Sequence, residues 1–188
     1  MIDKAKTFAA RVHFGQVRKG TTIPYIVHPI AVGEIVATMT DDEEVIAAAI
    51  LHDTLEDGEG VTVEILSETF SPRVAQLVRA ESEDKSKTWH ERKSATICRL
   101  KTAKRDVKCI ALGDKLSNIR DINRDYDALG DEVWMRFRVK DKEKIGWYYR
   151  GVLESLRDLE GLPAYGKYEK LVKKVFGERE EERCQSPL

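Results

Sequence analysis

Two acid-base pairs, His52-Asp53 and Glu56-Asp57, close an apolar run that extends from Val45 to Leu51. On a helix, side chains three or four positions apart share a face, so Glu56 falls one turn from both His52 and Asp53, and Asp57 one turn from Asp53. An imidazole and a carboxylate together bind a divalent cation, and the second pair is placed to handle the proton of a water that the cation activates. The same residues also describe an amphipathic helix with an acidic last turn and a hydrogen-bonded core histidine. For an isolated pair that plainer reading is the better one; other segments shift the balance.

Ala111-Leu112-Gly113-Asp114-Lys115-Leu116-Ser117-Asn118 sets Asp114 and Asn118 four residues apart, on one face of a long helical pattern. Gly113 costs that helix about 1 kcal/mol relative to alanine, which suggests that something approaches its backbone closely. His28, His52, Asp53 and Asp114 come from three separate segments and offer two neutral imidazoles and two carboxylates. That set suffices for one divalent ion with positions left for water and substrate. It does not resemble a closed, cysteine-rich zinc tetrahedron; Mn²⁺ or Fe²⁺ suits it better, with Zn²⁺ as an alternative. Glu56 and Asp57 then stand one turn beyond the ligands as the groups that exchange protons with the water. A partly desolvated, mutually repelling carboxyl pair can hold a proton near neutral pH.

The charge of the substrate is suggested by what flanks these motifs. Arg18 and Lys19 lie on the loop leading to His28, and from Lys85 to Lys108 nine Lys or Arg face two acidic residues. In a chain with 32 basic and 33 acidic residues and a net charge of -1, this local asymmetry suggests a face for phosphates. A solvated helical face would show the same pattern, so only some of these residues are expected to touch ligand. The near-neutral total argues against a dedicated nucleic-acid binder. Cys98, Cys109 and Cys184 are odd in number and form no CxxC spacing, which fits a reducing compartment. The first fifteen residues lack the apolar stretch of a signal peptide, and the Val45–Leu51 run is too short to cross a bilayer. The expectation is a soluble, cytoplasmic protein without a membrane partner.

Helical spacing runs from Ile2 to about Gly15, and a loop rich in Gly, Thr and Pro follows through Tyr25. Pro29 suits the first position of the next helix, which would put His28 at or beside its N-cap. Thr40 and Glu43 resemble a capping box opening a helix that continues through His52 to Asp57 and stops at Gly58. Further helices are expected over 63–70, 72–80, 89–100, 107–122, 142–159 and 168–176. Sustained alternation of apolar and polar residues is absent. At 188 residues, the chain reads as one all-α domain over residues 1–177, followed by a charged, disordered tail at 178–188.

Four ordered motifs carry a resemblance. His13-x-Gly15-Gln16-x-Arg18-Lys19, Pro24-Tyr25-Ile26-x-His28-Pro29, Leu51-His52-Asp53-Thr54-x-Glu56-Asp57 and Asp114-Lys115-Leu116-x-Asn118 resemble the HD-domain phosphohydrolases. Within these the chain looks most similar to the RelA/SpoT-type alarmone hydrolases, including their stand-alone small forms. The resemblance covers roughly the first two-thirds of the chain. It implies a helical HD bundle and a Mn²⁺-dependent hydrolase that removes the 3′-pyrophosphate of the (p)ppGpp alarmones of the stringent response. By motif position it implies metal binding by His28, His52, Asp53 and Asp114, and action on the attacking water by Glu56 and Asp57. Arg18 would pack on the guanine, Lys19 would face phosphate, Asn118 would orient the nucleoside, and Lys115 belongs to the same binding set. Gly58 stands where the family commonly has threonine, and Gly113 where it has alanine. The aromatic residues after Asp125 match weakly and receive no role. Synthesis of the alarmone is not expected, since the chain has no room for a synthetase segment. Two other functions fit the same residues: an HD phosphohydrolase for another phosphorylated nucleotide or nucleotide cofactor, and a nucleotide sensor that no longer cleaves, against which the retention of all six metal and water-handling positions argues.

Overall fold

The computed structural model describes residues 1–177; the tail expected at 178–188, with Cys184, lies outside the described residues. The described chain is helical: α1 (Ile2–Val12), α2 (Val27–Val36), α3 (Glu43–Leu51), a single turn α4 (Thr54–Asp57), α5 (Val63–Thr69), α6 (Pro72–Glu81), α7 (Trp89–Thr102), α8 (Arg105–Leu129), α9 (Lys142–Ser155) and α10 (Pro163–Phe176). The one β feature among the described residues is an isolated antiparallel bridge between Val17 and Pro24, which pinches the loop after α1. The expected all-α class holds, and no helix among the described residues is long and apolar enough to cross a membrane.

Helix α3 explains the arrangement. Every residue from Val45 to Leu51 is buried, so this helix is apolar all round and must be enclosed by others. Helices α1, α2, α6 and α8 pack against it. They form an amino-terminal core around Val32, Ile50, Leu66 and Val78. A second core, built from the later part of α8 with α9 and α10, gathers around Leu116, Ile119, Tyr149, Val152 and Tyr168. Helix α8 takes part in both, and α2 lies along it. At the crossing, a Cβ on Gly113 would stand 2.7 Å from Val36 Cγ2 and 3.3 Å from the Val32 carbonyl. This is the close backbone approach that the mid-helix glycine implies, and it draws α2 and α8 together where His28 and Asp114 face one another.

Several boundaries differ from the sequence expectation. The helix expected to run from Glu43 to Asp57 is broken: α3 ends at Leu51, His52 and Asp53 form a turn, and α4 is separate. Asp53 lies at φ -90°, ψ -7°, and its carbonyl accepts from Glu56 N at 3.1 Å and Asp57 N at 3.0 Å. The N-cap of α3 is Asp42, whose carboxylate accepts from Glu44 N at 3.0 Å; Thr40 Oγ1 instead accepts from Asp42 N at 3.1 Å, so no Thr40–Glu43 capping box forms. An aspartate one position before the helix meets the orphan amides at shorter reach than a threonine two positions further back. Helix α2 starts at Val27, which puts Pro29 third and His28 second within the first turn, where a missing N–H costs nothing. Helix α1 ends at Val12 rather than near Gly15, α8 spans 105–129, α9 stops at Ser155, and α10 begins at Pro163, five residues before the apolar stripe at Tyr168.

Candidate active site

The turn after α3 brings the chemistry together. His52 caps α3 and Asp53 opens the turn into α4, both with right-handed helical torsions, and both side chains reach one volume. His52 Nε2 lies 3.0 Å from Asp53 Oδ2 and 3.7 Å from Asp114 Oδ1, and His28 Nε2 lies 3.8 and 3.1 Å from the same two atoms. One donor atom each of His28, His52 and Asp114 falls within 4.8 Å of the others, and all three residues are buried. Asp53 completes the group from a more open position, with its carboxylate also accepting from Tyr25 OH at 2.6 Å.

Supporting contacts hold these side chains in a metal-ready state. His52 Nδ1 donates to the Ala49 carbonyl at 2.8 Å, which leaves Nε2 to face the carboxylates. That Nε2 is buried and makes no aligned hydrogen bond despite its close carboxylate neighbours. His28 Nδ1 is hydrogen-bonded to Ser117 Oγ at 3.0 Å, Asn118 Nδ2 donates to Asp114 Oδ1 at 2.6 Å, and Lys115 Nζ donates to Asp114 Oδ2. An orphaned imidazole nitrogen converging with a second imidazole and two carboxylates fits a divalent cation, and the mixed nitrogen–oxygen set is that of a catalytic rather than a closed structural site.

Electrostatics agree. Burial favours neutral His52, yet Asp53 and Asp114 outweigh it and raise its pKa well above the ordinary value. Burial prevails at His28 and lowers its pKa. Asp53 and Asp114 are held below the usual carboxylate range despite burial, Asp53 chiefly by His52, Asp114 chiefly by Lys115 and also by both histidines.

Two compartments adjoin this centre. One, a cavity of about 310 Å³, is lined by Arg18, Lys19, Ile23, Val27, Asn118, Phe137 and Tyr149. Arg18 crosses it: its Nη2 donates to Asp121 Oδ2 at 2.6 Å and Asn118 Oδ1 at 3.1 Å, with the guanidinium 5.8 Å from the Tyr25 ring centroid. The other, of about 250 Å³, is lined by Asp53, Glu56, Asp114, Lys115, Arg92, Lys93 and Arg99, and by Glu81, Glu83 and Tyr148. Tyr25, His28 and Asn118 line both.

The sequence candidates distribute over these surfaces unequally. Arg18 and Lys19 line the larger cavity, Lys115 the polar cleft, and Asn118 both. Glu56 lines the cleft, where its Oε1 accepts from Glu83 N at 2.9 Å and burial raises its pKa. Asp57 is outside the lining; it sits on the rim with its Oδ1 3.1 Å from Lys85 Nζ, and its carbonyl accepts from Gln16 Nε2 at 3.1 Å. His13 Nδ1 bonds Gln16 Oε1 at 2.8 Å, so the first motif fastens the Arg18 loop to α4. Of the basic segment, Arg92, Lys93 and Arg99 enter the cleft, whereas Lys108 pairs with Asp158 at 2.9 Å, away from it. Tyr25 stands in the second motif but received no role there, and it proves to be an Asp53 partner; the motifs did not single out Ser117 behind His28, or Glu81, Glu83 and Tyr148 in the cleft. The Asp114–Asn118 face was the available signal for Ser117; nothing local pointed to Tyr148, which arrives from α9.

Comparison with known proteins agrees with this arrangement. A family model described as an HD domain matches residues 5–140. The chain is 35% identical over 92% of its length to 90% of a zebrafish (Danio rerio) protein named guanosine-3′,5′-bis(diphosphate) 3′-pyrophosphohydrolase MESH1, and 34% identical over 94% of its length to 93% of the human (Homo sapiens) protein of that name. Among solved structures, a metazoan SpoT ortholog described as hydrolysing ppGpp superposes with a TM-score of 0.79 at 26% identity, covering 94% of this chain and 96% of that one. The protein lmo0812 of Listeria monocytogenes EGD-e superposes with a TM-score of 0.74 at 31% identity, covering 80% of this chain and 99% of that one.

Proposed function

The chain belongs to the HD-domain family and, within it, to the relatives named guanosine-3′,5′-bis(diphosphate) 3′-pyrophosphohydrolases, and from that premise we propose that it removes the 3′-pyrophosphate of guanosine polyphosphates. It is a metal-dependent hydrolase that converts (p)ppGpp to GDP or GTP plus pyrophosphate. The observation that carries this reading is the position of the His28–His52–Asp114 cluster between a cavity that offers a basic and apolar seat and a cleft lined with cations. A nucleoside joined at its 3′-oxygen to a diphosphate matches both sides at once.

His28, His52, Asp53 and Asp114 would hold the ion, and Mn²⁺ is the metal we assign, with Fe²⁺ or Zn²⁺ as alternatives. When bound, such an ion acidifies water and polarises a phosphoryl oxygen. The protein's residues do the rest. Water attacks the phosphorus next to the 3′-oxygen, the phosphorus–3′-oxygen bond breaks, and the 3′-oxygen leaves with a proton. Glu56 takes the proton of the attacking water at the cleft wall, where burial raises its affinity for a proton, and hands a proton on to the departing 3′-oxygen. Asp57, paired with Lys85 on the rim, acts with it by setting the charge around that proton. Arg18, positioned by Asp121 and Asn118, lies flat against the guanine, Lys19 meets phosphate, and Asn118 orients the ribose. Lys115 neutralises phosphate charge while holding Asp114 in place. The domain comprises residues 1–177, and a diffusible nucleotide in the cytoplasm is its partner, with no nucleic acid and no membrane required.

The test is whether the Mn²⁺-loaded protein releases pyrophosphate from guanosine 5′-diphosphate 3′-diphosphate. Turnover of nucleoside mono- and triphosphates or nicotinamide cofactors in its place would move the substrate to another phosphorylated nucleotide. Tight binding without turnover of any of them would make the chain a sensor.

A further inference from the structure

The polar cleft holds hydrogen-bonding capacity that these roles leave unused. Among the described residues, Glu81 Oε1, Arg92 Nε, Arg99 Nε and the Tyr148 hydroxyl are each buried without a hydrogen-bond partner, although Arg99 Nη1 donates to the Ser82 carbonyl at 3.3 Å, and all four residues line this one cleft. Native proteins satisfy nearly all buried polar atoms, because leaving one unpaired away from water is costly. Four on a single wall therefore mark a surface that waits for a ligand. Their neighbours are already engaged: Glu83 accepts from Arg92 at 3.1 Å, Lys93 at 2.8 Å and Thr96 at 3.2 Å, and Lys115 is bound to Asp114.

The chemistry of the wall is that of a phosphate seat. Lys93 Nζ and Lys115 Nζ lie 4.8 and 5.6 Å from the Tyr148 ring centroid, so two ammonium groups lie against this ring. Arg92 and Arg99 add guanidinium donors. Glu81 would repel an anion if ionised. Burial pushes it up to about 7, with Arg99, Lys115 and His52 pulling it down and Asp114 adding to the rise, so its neutral acid is present at neutral pH and donates a hydrogen bond. An incoming phosphate favours that form further.

We propose that Glu81, Arg99 and Tyr148 grip the terminal phosphate of the 3′-diphosphate, so that this wall measures the length of the 3′ phosphate chain and selects a diphosphate over a monophosphate. The proposal rests on the substrate reading above. It assigns a function to Tyr148 and Glu81, whose hydroxyl and Oε1 make no hydrogen bond among the described residues.

Two measurements decide it. In the first, kcat/KM is compared for guanosine 5′-diphosphate 3′-diphosphate and guanosine 5′-diphosphate 3′-monophosphate. Tyr148→Phe and Glu81→Ala should each lower the diphosphate-to-monophosphate ratio about tenfold, mainly through KM for the diphosphate, as expected for one hydrogen bond to a charged group. Glu81→Gln, which keeps a neutral donor, should restore most of the ratio. Equal losses on both substrates overturn the proposal, because damage to the fold would produce them. In the second, calorimetry follows inorganic pyrophosphate binding to the Mn²⁺-loaded protein, where Tyr148→Phe should weaken binding about tenfold. Unchanged affinity overturns the wall. If the wild type cleaves no guanosine nucleotide while Tyr148→Phe still weakens pyrophosphate, the wall stands and the substrate reading falls.

Discussion

The two compartments that meet at His28 and Asn118 are built on opposite principles. The larger one combines apolar side chains, Ile23, Val27 and Phe137, with a few polar groups that are already tied together, since Arg18 is bound to Asp121 and Asn118 before any ligand arrives. The smaller one is almost wholly polar and keeps some of its buried donors unsatisfied. The first is thus preorganised. The second mixes four cationic side chains with carboxylates and leaves hydrogen-bonding atoms for the polyanion proposed above. The difference teaches how one site can take a molecule with a flat, weakly polar end and a highly charged end, with the reacting bond over the metal-binding residues between them.

The largest expected effect comes from removing the junction on which both compartments depend. Asp53→Ala should abolish bound metal and turnover together, as read by metal analysis of the purified protein alongside a pyrophosphate-release assay. Turnover that survives without metal would show that the compartments work independently of the cluster. Glu56→Gln should retain the metal and both binding seats while kcat falls about 10²- to 10⁴-fold, the usual loss for a general base. Loss of metal in that variant would make Glu56 a ligand instead.

Acidity should act on the junction in a defined direction. Because Asp53 and Asp114 raise the His52 pKa in the metal-free protein against the opposing effect of burial, binding an ion must displace that proton. Apparent metal affinity should therefore fall by about tenfold per pH unit as pH is lowered through the neutral range, measurable with a competing chelator. The metal-free fold follows the opposite sense. A raised histidine pKa contributes stability that is complete below the unfolded value of about 6.5 and is lost as pH rises through the folded one. Affinity independent of pH would mean that His52 is already neutral. The smallest effect is expected at the preorganised side, where Arg18→Ala should raise KM several-fold with kcat nearly unchanged, since binding that is equal in ground and transition state moves KM alone. A kcat loss matching that of Glu56→Gln would erase the distinction between the two compartments.

Some of this was legible in the chain. The helical class follows from apolar spacing, whereas the enclosure of the Val45–Leu51 run on every side shows only in the packing. Three of the four motifs hold the residues of the cluster, each ligand type sitting in a short segment with its own local signal. Gly113 announced a close approach whose partner, Val36 and Val32 on α2, no local pattern could name. Helix edges were less legible. The break at His52–Asp53 has no proline or glycine to mark it, so periodicity carried the helix straight through. Asp57 and Glu56 look equivalent in sequence, but α4 turns Glu56 into the cleft and leaves Asp57 on its rim, with Lys85 within reach of both.

Residue type and short-range spacing, then, determined which side chains could bind an ion and move a proton, because imidazoles and carboxylates carry that capacity wherever they stand. Which of them share a volume was settled by packing. The crossing of α2 and α8 over a missing Cβ brings His28 to Asp114, the turn after α3 aims His52 and Asp53 at them, and α9 carries Tyr148 to a wall that α6 and α7 line with acid and guanidinium. These contacts join residues far apart along the chain, and the free energy that fixes them belongs to the buried core rather than to any segment read alone.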